Sequence, residues 1–229
     1  MIKNISIAYI LLIAFLSIFA YFFIPDKSSN ANQMHLSIHS ESPGFEVDLL
    51  LINNATNYKQ NLFEKLFFGD KNPPLEIPLQ NYIFIDDVFY YNEYGNLSES
   101  FNNSLVVDSP SQFKNESIIN RVFWLGTDKF GRDVLSRLVI GARISFFIGF
   151  VSVLISLIIG LFLGGLSGYY SGNIDRLVMW VINVTWSIPT LLLVIAITLA
   201  LGKGLWQVFI AVGLTMWVDV ARVVRGQVM

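Results

Sequence analysis

ISFFIGFVSVLISLIIGLFLGGLSGYY, residues 144–170, runs for 27 residues without a charged side chain. At 1.5 Å per helical residue it reaches about 40 Å, whereas a hydrocarbon core needs about 30 Å. It reads as a tilted membrane helix, and that reading decides the class of the chain. Two more uncharged stretches follow, 177–202 and 204–218. The first is long enough to cross. The second is short alone and borrows Val220 and Ala221, leaving Asp219 and Arg222 at the interface. Near the start, residues 5–24 form another uncharged run of spanning length. Four spans are therefore predicted.

Composition agrees. Of the 229 residues, 54% are hydrophobic and only 14% charged, and the mean hydropathy is +0.56, too oily for a soluble globule. The net charge of -2 hides a division near residue 120. Residues 26–120 carry 13 acidic and 5 basic side chains, whereas residues 121–229 carry 4 acidic and 9 basic. An acidic polar insert thus precedes a basic, membrane-embedded half. The basic residues are scattered around apolar spans and form no solvated stripe, which argues against a nucleic-acid binder. Without cysteine there are no disulfides, zinc-finger spacings or thiol chemistry. The phosphate-loop and paired-histidine metal motifs are missing too, and His35 and His39 read as surface residues of the insert.

Lys3 followed at once by residues 5–24 also fits a signal peptide. The length of the run, and the passage through Tyr21, Phe22 and Phe23 straight to Pro25, favour an uncleaved anchor. Residues 1–25 are then an anchor and 26–120 an extracytoplasmic insert. Within the insert, alternation over 45–52, 82–85 and 104–107 reads as short strands, and Pro73, Pro74, Pro78 and Asn/Ser clusters read as breaks. An α+β or partly disordered insert is expected. Glycosylation sequons at Asn4, Asn54, Asn96, Asn102, Asn115 and Asn183 read as plain asparagine richness, because two of them fall in apolar spans. Lys3, Arg176, Arg222 and Arg225 against Lys203 place the amino terminus in the cytoplasm and residues 26–135 outside, by the positive-inside rule.

Three local features invite a role. WLGTDKFGRDVLSRLVIGAR, residues 124–143, is a polar hinge entering a membrane helix. In it Asp128 and Asp133 can cap helix starts, and Asp133 and Arg137 share a face. On physics alone, ordinary capping before a helix is the preferred account of this stretch. Gly160, Gly164 and Gly168, with Gly165 alongside, make a small-residue seam for close helix approach. Asn183, Trp186, Ser187 and Pro189 interrupt an apolar span. The proline frees the carbonyl of Thr185, and either a cavity-facing bend or a kink satisfied by neighbouring helices follows. No charge lies at mid-membrane to relay protons or sodium, so energy for pumping would come from another subunit.

Residues 125–146, LGTDKFGRDVLSRLVIGARISF, resemble the stretch that opens the core of dipeptide, oligopeptide and nickel ABC-importer permeases. The likeness continues through 160–180, 187–193 and 221–229, covering about residues 121–229. It implies an all-α integral membrane protein of the type I importer class, with four of the usual six spans (about 144–170, 177–202 and 204–221 after the anchor). Gly126, Thr127, Asp128, Gly131, Arg132, Asp133, Arg137, Gly141 and Arg143 match the family's opening motif. Arg222, Arg225 and Gly226 match the approach to its coupling loop.

The resemblance further implies a transport subunit of the bacterial inner membrane that does no bond chemistry and binds no cofactor. Its partners would be a second permease subunit, two ATPases carrying ATP and magnesium, and a solute-binding protein. The insert is longer than most relatives carry. The chain stops at Met229, ahead of the Glu-Ala-Ala coupling helix, so a 229-residue product is expected not to couple ATP hydrolysis to transport. The rival readings are a membrane-anchored extracytoplasmic binding or sensory protein, favoured by the long acidic insert, and a channel, for which no polar pore lining is evident.

Overall fold

A computed structural model describes residues 2–53, 60–96, 98, 100–107, 109–202 and 204–229. The sequon residue Asn54 and the turn residue Lys203 lie outside them, as does the side chain of Lys3. The chain forms two compact units, 1–143 and 144–229.

The first unit opens with α1 (Ile2–Ile18) and α2 (Ala20–Phe23). The single span expected over 5–24 is thus broken at Phe19, whose backbone leaves the helical region (φ -98°, ψ 21°). At 17 residues, α1 reaches about 26 Å, short of a bilayer core. The turn directs Tyr21 and Ile24 into the unit and leaves Phe22 and Phe23 exposed.

Next come β1 (Phe45–Ile52), α3 (Leu62–Phe68), β2 (Leu75–Ile85), β3 (Val88–Glu93), β4 (Asn103–Val106), α4 (Pro110–Ser117) and β5 (Ile118–Phe123). The strands make one antiparallel sheet in the order β4-β3-β2-β1-β5. "All-α" therefore holds for the spans alone, and the insert is α+β. Alternation along β1 sends Val47 and Leu49 to one face, with Ile38 and Phe123, and Leu50 to the other, with Leu79, Phe89 and Tyr91. Phe113 of α4 covers that second face, its ring 5.3 Å from Phe89. Burying a side chain such as Phe89, fully inaccessible here, stabilises by about 1.5–3 kcal/mol. Asp86 and Asp87 close the β2–β3 hairpin, with Asp86 at φ 54° as a two-residue turn demands. Pro78, expected to break structure, lies inside β2. There the strand pairs with β1, just before its register against β3 slips between Leu79 and Asn81.

Helix α5 (Val134–Tyr170) contributes residues 134–143 to the first unit and 144–170 to the second. The second unit continues with α6 (Gly172–Trp186), α7 (Thr190–Leu201) and α8 (Leu205–Val228). Among the described residues α5 and α8 are each long and apolar enough to cross a membrane. The α6–α7 pair would make a third crossing only as one broken span, because it bends by 91° at Ser187–Pro189. The bend expected at Pro189 is a break between two helices. Val178 and Ile182 of α6 pack with Trp217, Val218 and Ala221 of α8 to form the core of this unit. Phe150, Leu154, Ile158, Leu161 and Phe162 of α5 remain exposed, as a lipid-facing surface requires.

Candidate functional site

Between β5 and α5 the backbone folds back on itself, with Thr127 and Asp133 forming an isolated antiparallel bridge. Gly126 and Gly131 hold φ of +72° and +70°, and each faces another backbone so closely that a Cβ would collide, at Glu41–Ser42 and at His35 respectively. Between them Asp128 organises the loop. Its Oδ1 accepts the N–H groups of Phe130 (2.8 Å) and Arg132 (3.1 Å), and its Oδ2 accepts Arg132 Nε (2.9 Å). Asp128 therefore builds a turn and does not cap a helix. Burial opposes its charge, but the hydrogen bonds of Arg132 and Phe130 win and hold its pKa below the usual carboxylate value. Arg132 reaches onward to Asn32 Oδ1 (2.9 Å).

Asp133 does cap α5, accepting the N–H of Ser136 at 3.0 Å and the Ser136 hydroxyl. The expected Asp133–Arg137 pair does not form. Arg137 lies instead 3.8 Å from Asp128, because Asp133 is buried and turned to its cap. Thr127 is also buried, donating its hydroxyl to the Ile38 carbonyl (2.5 Å) and accepting the N–H of Glu41 (2.9 Å). Ser136 accepts the N–H of Asp26 (3.1 Å). Gly141 faces open space, and Arg143 Nη2 donates to the Phe67 carbonyl at 2.6 Å. The opening motif thus clamps the insert, from Asp26 to Glu41, against β5 and the head of α5.

His35, expected at the surface, is buried in this clamp with 4% of its area exposed. Its Nδ1 is 3.1 Å from the Gly131 carbonyl and its Nε2 is 2.9 Å from Glu76 Oε2. Arg121 holds both Glu76 oxygens at 2.6 Å. Burial pushes the Glu76 pKa up, but bonds from His35 and Arg121 outweigh it, and the pKa falls below its ordinary value. Nothing in the linear sequence marks this triad, since β5, β2 and the segment before β1 meet only when the unit folds.

In the second unit the glycine seam meets α8. A Cβ at Gly160 would stand 2.6 Å from Val220, one at Gly164 would strike the Ala221 carbonyl, and one at Gly168 would stand 2.7 Å from Val228. Gly165 faces open space. The seam is longer than the glycines suggest. Buried Ser152 and Ser156 continue it every fourth residue, with Ser152 Oγ donating to the Phe209 carbonyl (3.1 Å), and Gly213 receives Ile155 from the other side. Small residues at this period let two helices touch backbone to backbone, where dispersion and polar contacts can act in lipid.

At one end of this helix pair Arg225 grips Asp175 with Nε at 2.5 Å and Nη2 at 2.7 Å, and Ser167 Oγ also donates to Asp175. Arg222 stacks on the Trp186 ring at 3.8 Å, and Gly226 faces open space. At the break, Asn183 is exposed and its carbonyl accepts both the N–H (3.0 Å) and the hydroxyl (2.8 Å) of Ser187. Trp186 and Pro189 are exposed, and the Thr185 carbonyl is taken by the N–H of Ile188 (3.3 Å). The freed carbonyls are thus satisfied within the break itself.

Long apolar helices joined by a small-residue seam, with apolar side chains turned outward, define an integral membrane protein. No family model matches the chain. It is 43% identical over 106 residues to the oligopeptide transport system permease protein OppC of Bacillus subtilis. It is 46% identical over 106 residues to the dipeptide transport system permease protein DppC of the same organism, and 42% identical over 103 residues to the glutathione transport system permease protein GsiD of Pectobacterium atrosepticum. These alignments cover 46%, 46% and 45% of this chain and 35%, 33% and 34% of the respective relatives. The chain therefore spans about a third of the length of the curated relatives it matches. Its similarity is to dipeptide, oligopeptide and glutathione ABC transport permeases.

Proposed function

We propose that this chain is part of a permease subunit of an ATP-driven importer for peptides, forming half of the translocation path. The observation that carries the reading is the 42–46% identity to three permeases named for oligopeptide, dipeptide and glutathione transport. In this reading a binding protein delivers the peptide, a second permease subunit completes the path, and two cytoplasmic ATPases hold ATP and magnesium. The chain itself binds no cofactor and breaks no bond. It contributes helix packings whose balance ATP binding shifts.

The α5–α8 seam suits that task, because closely packed small residues leave few side chains to repack when the helices shift. The proposed topology has four crossings of the bacterial inner membrane, counting residues 5–24 and the broken α6–α7 pair as one each. The amino terminus is cytoplasmic and residues 26–135 extracytoplasmic. The opening motif, Gly126 to Arg143, then fixes the insert to the outer end of α5, and Arg222, Arg225 and Gly226 lie toward the coupling side. Deletion of the gene in its own host tests the function. Uptake of radiolabelled tri-alanine should fall to background and return on complementation. Unchanged uptake of tri-alanine, dipeptide and glutathione alike would defeat the proposal.

A further inference from the structure

Helix α3, LFEKLFF, is seven residues long, and three of its five apolar side chains point outward. Leu62 is 84% exposed, Phe63 80% and Phe68 64%. In a soluble subdomain such a cluster is costly, since it keeps large apolar surface in water. What lies beside it shows what covers it.

Helix α3 packs on α2, the end of the first apolar run, where Phe22 is 73% and Phe23 51% exposed. Gly69, just past α3, sits so close to the Tyr21 ring that a Cβ would stand 2.7 Å from it. From the other side Arg143 donates to the Phe67 carbonyl at 2.6 Å, with its guanidinium 5.2 Å from the Tyr21 ring and 5.8 Å from that of Phe67. Arg143 is the last charged residue before the uncharged run 144–170. Its side chain is buried, so the guanidinium ties α3 and α2 to the head of α5 from inside the unit. The ends of two separate apolar segments therefore meet on α3.

Polar residues lie beside it. Lys27 and Lys65 line a cleft of about 340 Å³ between α2 and α3, and exposed Lys71 follows, while Lys65 is paired with Asp70 at 2.9 Å and Glu64 is half-buried. Exposed leucine and phenylalanine side chains with lysines beside them are the composition of a helix lying in a lipid interface.

We infer that α3 is a membrane-surface helix. Leu62, Phe63 and Phe68 insert into the lipid leaflet continuous with the exposed face of α2, and exposed Lys27 contacts the phosphate layer. The insert is thereby held down on the bilayer at a second point beside its covalent connections. This holds whatever solute the chain serves and does not rest on the importer reading.

The native chain has no cysteine, so single nitroxide labels report cleanly. Leu62→Cys, Phe63→Cys and, as a reference on exposed α4, Asn115→Cys are spin-labelled in the full chain and reconstituted in vesicles of phosphatidylcholine with a minority of phosphatidylglycerol. The expected result is a ratio of oxygen to nickel-chelate collisions several-fold higher at 62 and 63 than at 115. Equal ratios at the three sites would overturn the inference. So would labels at 62 and 63 shielded from both reagents and unchanged between detergent and vesicles, because a protein surface would then be the cover. Leu62 and Phe63 are exposed enough that cysteine leaves the packing intact, and a label at Phe68, on the next turn, serves as an independent repeat.

Discussion

Glu76 joins two polar side chains inside the insert. It is acceptor to both His35 and Arg121, and its side chain is only 6% exposed. Replacing one member of a buried charged pair strands the other, at a cost of about 3–5 kcal/mol. Glu76→Gln should therefore destabilise the first unit by that order, whereas Glu93→Gln on the exposed end of β3 should cost almost nothing. Chemical denaturation followed by near-ultraviolet dichroism measures the difference. The pH dependence has a defined sign. The folded pKa of Glu76 lies below its unfolded value, so its stabilisation is complete above the ordinary glutamate pKa of about 4.3 and is lost as pH falls through the lowered folded value. The wild type should lose stability across that acid window, and Glu76→Gln should show a visibly shallower acid slope. His35 was misread from sequence for a simple reason. A histidine in a polar segment is usually solvated, and the Gly131 carbonyl that holds it is 96 residues away.

At the scale of elements, the α5–α8 contact separates glycines that look alike in sequence. Gly164 has the Ala221 carbonyl against it, and Gly165, one residue on, has nothing near it. Gly164→Leu should force the helices apart and, on the proposed function, abolish peptide uptake by the complete permease. Gly165→Ala should leave uptake intact and raise stability by up to about 1 kcal/mol, through the helix propensity gained. Uptake assays and thermal unfolding in detergent measure both, and normal uptake by Gly164→Leu would remove the seam from the mechanism. The period of four was legible in the glycines, because small residues stand out in an apolar run. Ser152 and Ser156 were not, because a serine in a membrane helix can equally satisfy its hydroxyl on its own backbone. The break of α6 from α7 was legible at Pro189, but its 91° size was not. A proline removes one hydrogen bond and fixes one φ, whereas the direction taken afterwards depends on what packs beyond it.

At the scale of the whole molecule, one chain serves two solvents. The first unit satisfies its polar groups by a sheet and a web of side-chain bonds, and the second by helices alone, as lipid demands. The proposed topology follows from this and is testable because no native cysteine interferes. Ser98→Cys in the insert should react with a membrane-impermeant maleimide on intact cells. Asn173→Cys, at the start of α6, should react only after the membrane is opened. Labelling in the reverse order would invert the proposed orientation.

The sequence by itself determined the membrane class, the strand alternation of β1, the capping of α5 by Asp133 and the family likeness. Each rests on patterns within a few residues, on the length of an uncharged run, or on a motif read in line. Only the tertiary structure decided that the opening motif clamps the insert, that Arg121 and Glu76, 45 residues apart, enclose His35, and that Arg225 closes on Asp175 across 50 residues. A buried charge or a tight glycine is defined by its partner. That partner is chosen when distant segments pack together, a choice no local pattern records.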